Sequence, residues 1–303
     1  MTLGTARYAG SWPVMVTPFD ANLTVDLGAY RAMIAWYLER GVGGLYANCL
    51  SSEMYHLDDD ERVALVREAV RAAGGRVPVA ATGNLGEDVA AHLRLCRRMA
   101  EAGADVVMLV VPPFLNDDAA LQHYYLQMAE QVDAPLGLYE CPVPRPYHLG
   151  VPLVRILARS GRFVAYKETS CDLNKIRALA EAVRGTPLNL LQANVSYLIE
   201  ATRAGAPGTM SVAAIIAPEL VAGVITAAGC DLARAERLHA RLCALHLAQR
   251  QVHPHGSKYL LAKRGVPIAE HARQQPSPLS AEVLAALDHA ARDWFAKDGS
   301  LRM

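Results

Sequence analysis

The sequence lacks the features that mark several large classes of protein. No apolar run reaches the roughly 18 residues that a membrane-spanning helix needs. The formal net charge is zero, so there is no electrostatic reason to expect binding to nucleic acid or to an anionic membrane. No Gly-x-Gly-x-x-Gly or Gly-x-x-x-x-Gly-Lys-Ser/Thr segment follows a predicted strand, which argues against a nucleotide-binding loop.

Cysteine is present but never in the close pairs that zinc sites and redox motifs use. The six residues are Cys49, Cys96, Cys141, Cys171, Cys230 and Cys243. We therefore expect free thiols in a reducing cytoplasm and no metal centre. Residues 1–10 show neither the basic segment nor the apolar stretch of a secretory signal, which fits the same cytoplasmic location.

Lysine is scarce, and one of the five lysines lies in an unusual setting. Lys167 stands near the end of the apolar run Phe-Val-Ala-Tyr-Lys-Glu-Thr at residues 163–169, which predicts a buried strand. Burial disfavours the ammonium form and leaves a nucleophilic amine, as Schiff-base chemistry requires. The alternative is a lysine that pairs with a carboxylate at a strand end, and this stretch alone does not decide between the two.

The rest of the chain alternates between strand and helix patterns with a period of about 30 residues, which is typical of (β/α)₈ barrels. The predicted strands are residues 14–19, 44–48, 78–82, 104–111, 135–139, 163–169, 188–192 and 208–212. Asp26 and Asp58 are predicted to begin the helices after the first two strands. This rhythm predicts an α/β protein with a (β/α)₈ TIM barrel at residues 10–225 and C-terminal helices at 226–303 packed on it, in a single domain. An open doubly wound sheet is the alternative.

In such a barrel the chemistry lies at the carboxyl ends of the strands. Tyr139 and Lys167 end the fifth and sixth predicted strands, so we expect them side by side, an amine next to a phenol that can move protons. Ser51 and Ser52 follow the second strand, where hydroxyl and backbone N–H groups can hold a carboxylate. The alternative is a plain loop before the helix at Asp58. Next to these serines, Glu53 is expected to be a buried structural carboxylate.

These residues together resemble the dihydrodipicolinate synthase / N-acetylneuraminate lyase family of class I aldolases. The resemblance spans residues 13–218. Its segments are Val-Thr-Pro-Phe at 16–19, the loop ending Ser-Ser-Glu at 51–53, Gly-Ala-Asp at 103–105, Leu-Tyr-Glu-Cys-Pro at 138–142, Tyr-Lys-Glu-Thr at 166–169 and Gly-Thr-Met-Ser at 208–211.

The resemblance implies a TIM barrel, usually tetrameric, whose lysine forms a Schiff base with pyruvate or another 2-oxo acid. It places the nucleophile at Lys167, the proton relay at Tyr139 and the carboxylate site at Ser51. Two departures are leucines, because Leu50 replaces the first hydroxyl of the loop and Leu115 stands where the synthase has a relay tyrosine. A leucine carries no proton, so the sequence indicates that the synthase relay is lost.

The remaining candidate residues are predicted to contact the substrate. The substrate-binding set is Ser51, Ser52, Thr169, Glu140, Arg145 and Met210. Arg145 can bind a substrate carboxylate or be a solvated loop arginine. Glu140 is expected to face away from the barrel axis if Tyr139 faces inward, although the twist of a strand end could still bring it to the substrate.

The sequence therefore predicts a lyase that acts on a 2-oxo acid through Lys167, without metal or organic cofactor, as a homo-oligomer (a tetramer or a dimer). The reaction is aldol cleavage or formation, or dehydration, of a sugar-acid-like substrate. Three alternatives stay open. They are a true dihydrodipicolinate synthase, a barrel that only binds a ligand, and a barrel isomerase with a phosphate site.

Overall fold

The computed structural model describes residues 7–274 and 279–302. Within these residues, eight parallel strands form one sheet in the order β1-β8-β7-β6-β5-β4-β3-β2. The strands are β1 (Gly10–Pro13), β2 (Leu45–Asn48), β3 (Val79–Thr82), β4 (Val106–Val110), β5 (Leu136–Tyr139), β6 (Phe163–Glu168), β7 (Asn189–Gln192) and β8 (Gly208–Ser211). Strands that are neighbours in sequence therefore lie next to each other, as in a barrel.

The two ends of the sheet meet between β1 and β2. Val14, directly after β1, forms a parallel bridge with Tyr46 of β2. The Met15 N–H donates to the Tyr46 carbonyl oxygen at 3.0 Å. These contacts bring the sheet round into a barrel, so the predicted TIM barrel is confirmed.

Each strand is followed by a helix on the outside of the barrel. The first seven are α1 (Leu27–Glu39), α2 (Asp59–Ala73), α3 (Val89–Glu101), α4 (Asp118–Gln131), α5 (Val151–Arg159), α6 (Leu173–Val183) and α7 (Leu198–Ala204). Aspartates begin several of them, because a carboxylate can accept the unpaired N–H groups of a first helical turn. Asp26 accepts from Ala29 N and Asp58 from Glu61 N, as the sequence predicted.

The prediction of the first strand was wrong. Residues 14–19 read as a strand because they are apolar and rich in valine, but β1 ends at Pro13. β1 pairs with β8 through Gly10–Pro13, and beyond that Val14 keeps a single bridge to β2, while Phe19 bridges Val25 outside the barrel sheet. Val14, Met15 and Val16 are fully buried. Val14 and Met15 still bond to β2, but the apolar run as a whole reflects burial and not a strand that extends to residue 19.

Five further α-helices follow in the residues that the structure describes. They are α8 (Ala213–Ile216), α9 (Pro218–Ala228), α10 (Leu232–Gln251), α11 (His255–Lys263) and α12 (Ala281–Trp294). The predicted division at residue 225 falls inside α9. α10 packs on α9 and is fixed to the loops beyond β7 and β8, through His239 to the Val195 carbonyl and through Gln249 to the Val212 carbonyl. None of the helices in the described ranges is long and apolar enough to cross a membrane.

Candidate active site

Lys167 points from β6 into the carboxyl-terminal mouth of the barrel. Its partner in the sheet register is Tyr139, the last residue of β5. The Lys167 Nζ lies 4.2 Å from the centroid of the Tyr139 ring and 5.3 Å from that of Tyr46. Lys167 is buried, with only 6% of its surface exposed. Even so, within the described residues it makes no ion pair and no side-chain hydrogen bond. The structure therefore brings together the amine and the phenol that the sequence predicted to be neighbours.

Burial determines the ionisation of both groups. It lowers the pKa of Lys167, and the nearby thiols of Cys49 and Cys141 oppose this only in part. Burial raises the pKa of Tyr139 well above its usual value, and the thiol of Cys141 adds to the shift. Desolvation thus favours a free amine at Lys167 and a protonated phenol at Tyr139, the forms from which imine formation starts.

The two serines of the loop after β2 have different surroundings. They form a short 3₁₀ turn, Leu50–Ser52. The Ser51 hydroxyl lines the same cleft as Lys167 and has no hydrogen-bond partner among the described residues. The Ser52 hydroxyl is fully buried, donates towards the carbonyls of Met15 (2.6 Å) and Ala47 (2.8 Å), and accepts from Cys49 N (3.1 Å). Ser51 is therefore free to bind a ligand, whereas Ser52 holds the turn in place.

Glu53 closes this loop as a structural carboxylate, in line with the sequence expectation. Its backbone is in the left-handed region, with φ of 59°. One carboxylate oxygen accepts from Lys258 Nζ at 2.9 Å, and the other accepts from the N–H groups of Arg273 (2.6 Å) and Gln274 (2.9 Å). Its contacts join the loop to the C-terminal part of the chain.

Glu140 faces away from the barrel axis, opposite to Tyr139, and does not line the cleft. Its carboxylate accepts from Leu149 N (2.8 Å), Thr169 N (3.0 Å) and the Tyr166 hydroxyl (2.5 Å). His148 Nδ1 lies 3.2 Å away and Lys175 Nζ 3.5 Å away. The twist of the strand end does not bring this carboxylate to the cleft. It instead joins the loop after β5 to the loop after β6.

Thr169, Met210 and Arg145 complete the predicted set. Thr169 and Met210 both line the cleft, and the Thr169 hydroxyl donates to the Glu140 carbonyl at 2.9 Å. Arg145 does not line it. The Arg145 guanidinium donates to the carbonyls of Leu115 and Pro113 in the loop after β4. It therefore holds two loops together instead of pointing at Lys167.

The cleft above Lys167 has a volume of about 580 Å³. The sequence did not predict the part of its wall that comes from beyond the barrel, because nothing in an amphipathic helix shows which strand ends it will cover. α10 and the turn after it contribute His246, Arg250 and His253. Asn194 lies in the predicted strand-end segment after β7 and also lines the cleft, although it was not among the candidates.

A comparison with protein families shows to which family the chain belongs. The profile of the dihydrodipicolinate synthetase family matches residues 7–293. The chain belongs to this family. The predicted family and the predicted lyase class are therefore confirmed, since this family consists of class I aldolase-type lyases that act through a Schiff base.

Named relatives of the dihydrodipicolinate synthetase family agree in length and fold. The chain is 33% identical to the 4-hydroxy-tetrahydrodipicolinate synthase of Thiobacillus denitrificans, over 95% of this chain and 98% of the relative. It is 32% identical to the enzyme of that name from Methanoculleus marisnigri, over 78% and 82%. Among solved structures, the dihydrodipicolinate synthase from Acinetobacter baumannii complexed with pyruvate has a TM-score of 0.86 at 25% identity, over 97% and 100%. A prophage protein of the family from E. coli K12, in complex with pyruvate, has the same score and identity, over 94% and 98%.

Proposed function

We propose that the protein is a Schiff-base lyase in which Lys167 condenses with pyruvate or another 2-oxo acid. The observation that carries the proposal is an amine buried at the mouth of the barrel with no carboxylate partner in the described chain, over the Tyr139 ring at 4.2 Å. A buried lysine that served structure alone would be expected to be paired, because an isolated buried ammonium is costly. Lys258 is such a paired lysine. Relatives solved with pyruvate support the choice of ligand.

The chemistry follows from the residues in the cleft. The Lys167 amine attacks the C2 carbonyl carbon, and a proton moves from its nitrogen to the carbonyl oxygen to give a neutral carbinolamine. A further proton on the carbinolamine hydroxyl lets it leave as water, and the product is an iminium ion. Ser51 and the N–H groups of its 3₁₀ turn hold the substrate carboxylate, and Tyr139 carries protons to and from the reacting oxygen. The iminium ion then accepts the electron pair of a breaking C3–C4 or C3–H bond to form an enamine. The enamine can add to an aldehyde, take up a proton or expel a leaving group.

A substrate other than that of the synthase fits the cleft better. Leu50 lines the cleft in place of a hydroxyl, and Leu115 is partly buried with its carbonyl bound by Arg145. Neither side chain can relay a proton. We therefore favour aldol cleavage, aldol formation or dehydration of a sugar-acid-like substrate over the synthase reaction that the names of the relatives suggest. A homo-oligomer and a cytoplasmic location remain predictions from the sequence.

The test is reductive trapping. The protein is incubated with pyruvate and a panel of 2-oxo acids, treated with borohydride, and digested for peptide mass spectrometry. We expect one adduct, on the Lys167 peptide, in the wild type and in Lys297→Ala, whose lysine is exposed. Lys167→Ala should remain folded by circular dichroism and give no adduct. An adduct on another lysine, or none with any 2-oxo acid, would overturn the proposal. Formation of product from pyruvate and aspartate semialdehyde would restore the synthase alternative.

A further inference from the structure

The cleft above Lys167 has a one-sided charge distribution. Its ionisable nitrogen side chains are Lys167, His148, His246, Arg250 and His253, and among the described lining residues there is no aspartate or glutamate. The carboxylates at the neighbouring strand ends, Glu140 and Glu168, do not line the cleft and accept hydrogen bonds from other groups. Glu140 binds the groups described above, and Glu168 accepts from Ser170 N (2.6 Å) and from Gln192 Nε2 (2.8 Å). Burial lowers the pKa of His246, His253 and Lys167, so Arg250 is, among the described lining residues, the one that keeps an unpaired positive charge near pH 7, and the cleft favours an anionic ligand group at Arg250.

Arg250 contributes a guanidinium group to the part of the cleft wall formed by α10. It lies in the last turn of α10 and is exposed, and in the described chain it has neither an ion pair nor a side-chain hydrogen bond. A positive charge in the last turn of a helix is also stabilised by the helix dipole. The interaction with the helix dipole would be the same if the side chain pointed away from the cleft. The Arg250 side chain lines the cleft, so the dipole does not explain its position. A free guanidinium binds a carboxylate or phosphate through two parallel hydrogen bonds.

His246 lies one helical turn before Arg250 and lines the same wall. Its Nδ1 is buried and has no hydrogen-bond partner within the described residues. Burial and the neighbouring Arg250 charge lower the pKa of His246 to about 4, so the ring is neutral near pH 7 and can donate one hydrogen bond. A buried ring nitrogen without a partner is costly, so a turn of the His246 ring that brings Nδ1 to a ligand oxygen in the cleft would be favoured.

The position of this pair is fixed by the fold. Gln249, the residue before Arg250, donates from Nε2 to the Val212 carbonyl at 2.9 Å and contacts Ser257 Oγ at 3.0 Å. His239 lies ten residues before Gln249, nearly three helical turns, and its Nε2 is 2.6 Å from the Val195 carbonyl oxygen. These contacts set α10 on the loops after β7 and β8. Arg250 is therefore held over the loops after β7 and β8, whereas Ser51 lies in the loop after β2, which β1 separates from β8 around the barrel.

We propose that Arg250 and His246 bind a second anionic group of the substrate, so that the natural 2-oxo acid is a dianion with its carboxylate at C1 on Ser51 and a terminal carboxylate on Arg250. This inference rests on the proposed function, because it takes C2 to be bound to Lys167. A cleft of about 580 Å³ is large for pyruvate alone and leaves room for a longer acid. Arg250 is then a specificity-determining residue, and the reaction acts on an acid with anionic groups at both ends.

The experiment compares three probes in the borohydride assay: pyruvate, 2-oxoglutarate and the 5-methyl ester of 2-oxoglutarate. The ester keeps the length of the dianion and removes its terminal charge. We expect the concentration of 2-oxoglutarate that gives half-maximal labelling of Lys167 to be at least about tenfold lower than that of its ester. Arg250→Gln should abolish this difference by raising the half-maximal concentration of 2-oxoglutarate to that of its ester. Arg237→Gln, an exposed arginine on the same helix, should behave as the wild type.

The outcomes separate the two proposals. If pyruvate labels Lys167 but the wild type does not prefer the dianion, or Arg250→Gln keeps the preference, this inference is wrong and the proposed function stands. If none of the three probes labels Lys167, the proposed function fails and this inference fails with it. A preference for a phosphorylated 2-oxo acid over 2-oxoglutarate that is also lost in Arg250→Gln would keep the anion site and overturn the assignment of a carboxylate.

Discussion

Glu53 and Lys258 form an ion pair with a nitrogen–oxygen distance of 2.9 Å, and both side chains are wholly buried. The pair connects the loop after β2 with α11. The Lys258 ammonium also donates to the carbonyl of His271, and Glu53 accepts the backbone N–H groups of Arg273 and Gln274. The turn that carries Ser51 is therefore held from the C-terminal part of the chain.

The first prediction concerns this pair. Lys258→Met should lower the free energy of unfolding by about 3–5 kcal/mol, because it leaves a carboxylate buried without its cation. Lys297→Met, which changes an exposed lysine, should alter it by less than about 0.5 kcal/mol. Urea denaturation followed by circular dichroism measures both. Equal effects of the two substitutions would show that the buried pair adds nothing to stability beyond an ordinary surface residue.

The second prediction concerns the ionisation of Lys167. Its pKa lies below the usual value of 10.5, because burial disfavours the ammonium form. The free amine is therefore present at a lower pH than in a solvated lysine, and its reactivity rises as the pH approaches this lowered pKa from below. Competitive acetylation at a series of pH values, read by mass spectrometry on the Lys167 peptide, should give a midpoint below that of N-acetyl-lysine amide. A midpoint equal to or above this reference would contradict the desolvation argument.

The third prediction separates the adjacent serines. Ser51→Ala should weaken pyruvate binding by about tenfold, because a hydrogen bond to a charged group is lost, and it should leave stability nearly unchanged. Ser52→Ala should lower the free energy of unfolding by about 1–3 kcal/mol, because it removes the hydroxyl that bonds the backbone of Met15, Ala47 and Cys49. Pyruvate titration by calorimetry and urea denaturation supply the two readouts. The reverse pattern would exchange the roles assigned to the two residues.

These serines show what could be predicted from the sequence and what could not. The barrel was predictable because strand and helix periodicity repeats along the chain, and the pairing of Tyr139 with Lys167 followed from the parallel order of neighbouring strands. Which of the two serines faces the cleft depends on the φ and ψ angles of the 3₁₀ turn. Periodicity and spacing do not specify those angles, and it was the family resemblance that placed the carboxylate site at Ser51.

The two arginines illustrate the second limit. Arg145 follows β5 directly, close to Tyr139 in sequence, and for that reason it was the natural candidate for binding a carboxylate. Its guanidinium is used by the carbonyls of Leu115 and Pro113. Arg250 is remote in sequence, on a helix after the barrel, and reaches the cleft through tertiary packing alone. Periodicity predicts helices well, but it does not predict where the last ones dock.

Glu140 explains how the loops on either side of Lys167 keep their places. Burial alone would raise the pKa of this carboxyl. The hydrogen bond from His148, the charge of Lys175 and the bonds from Tyr166 and Thr169 N outweigh it and lower the pKa. The ionised carboxylate is thus stabilised in the folded state relative to the unfolded state. The loops after β5 and β6 are joined as long as this group stays charged.

Glu140→Gln should lower the free energy of unfolding by about 2–4 kcal/mol near pH 6, because several buried partners lose an anionic acceptor. The sign of the pH dependence follows from the lowered pKa. The carboxylate stabilises the fold fully above its unfolded pKa of about 4.3, and this contribution is lost as the pH falls through the folded pKa. The stability difference between wild type and variant should therefore shrink between about pH 6 and about pH 3. Urea denaturation at both pH values measures it, with Glu282→Gln, an exposed glutamate, as the matched control. A difference that stayed constant, or grew, on acidification would contradict the charged role of Glu140.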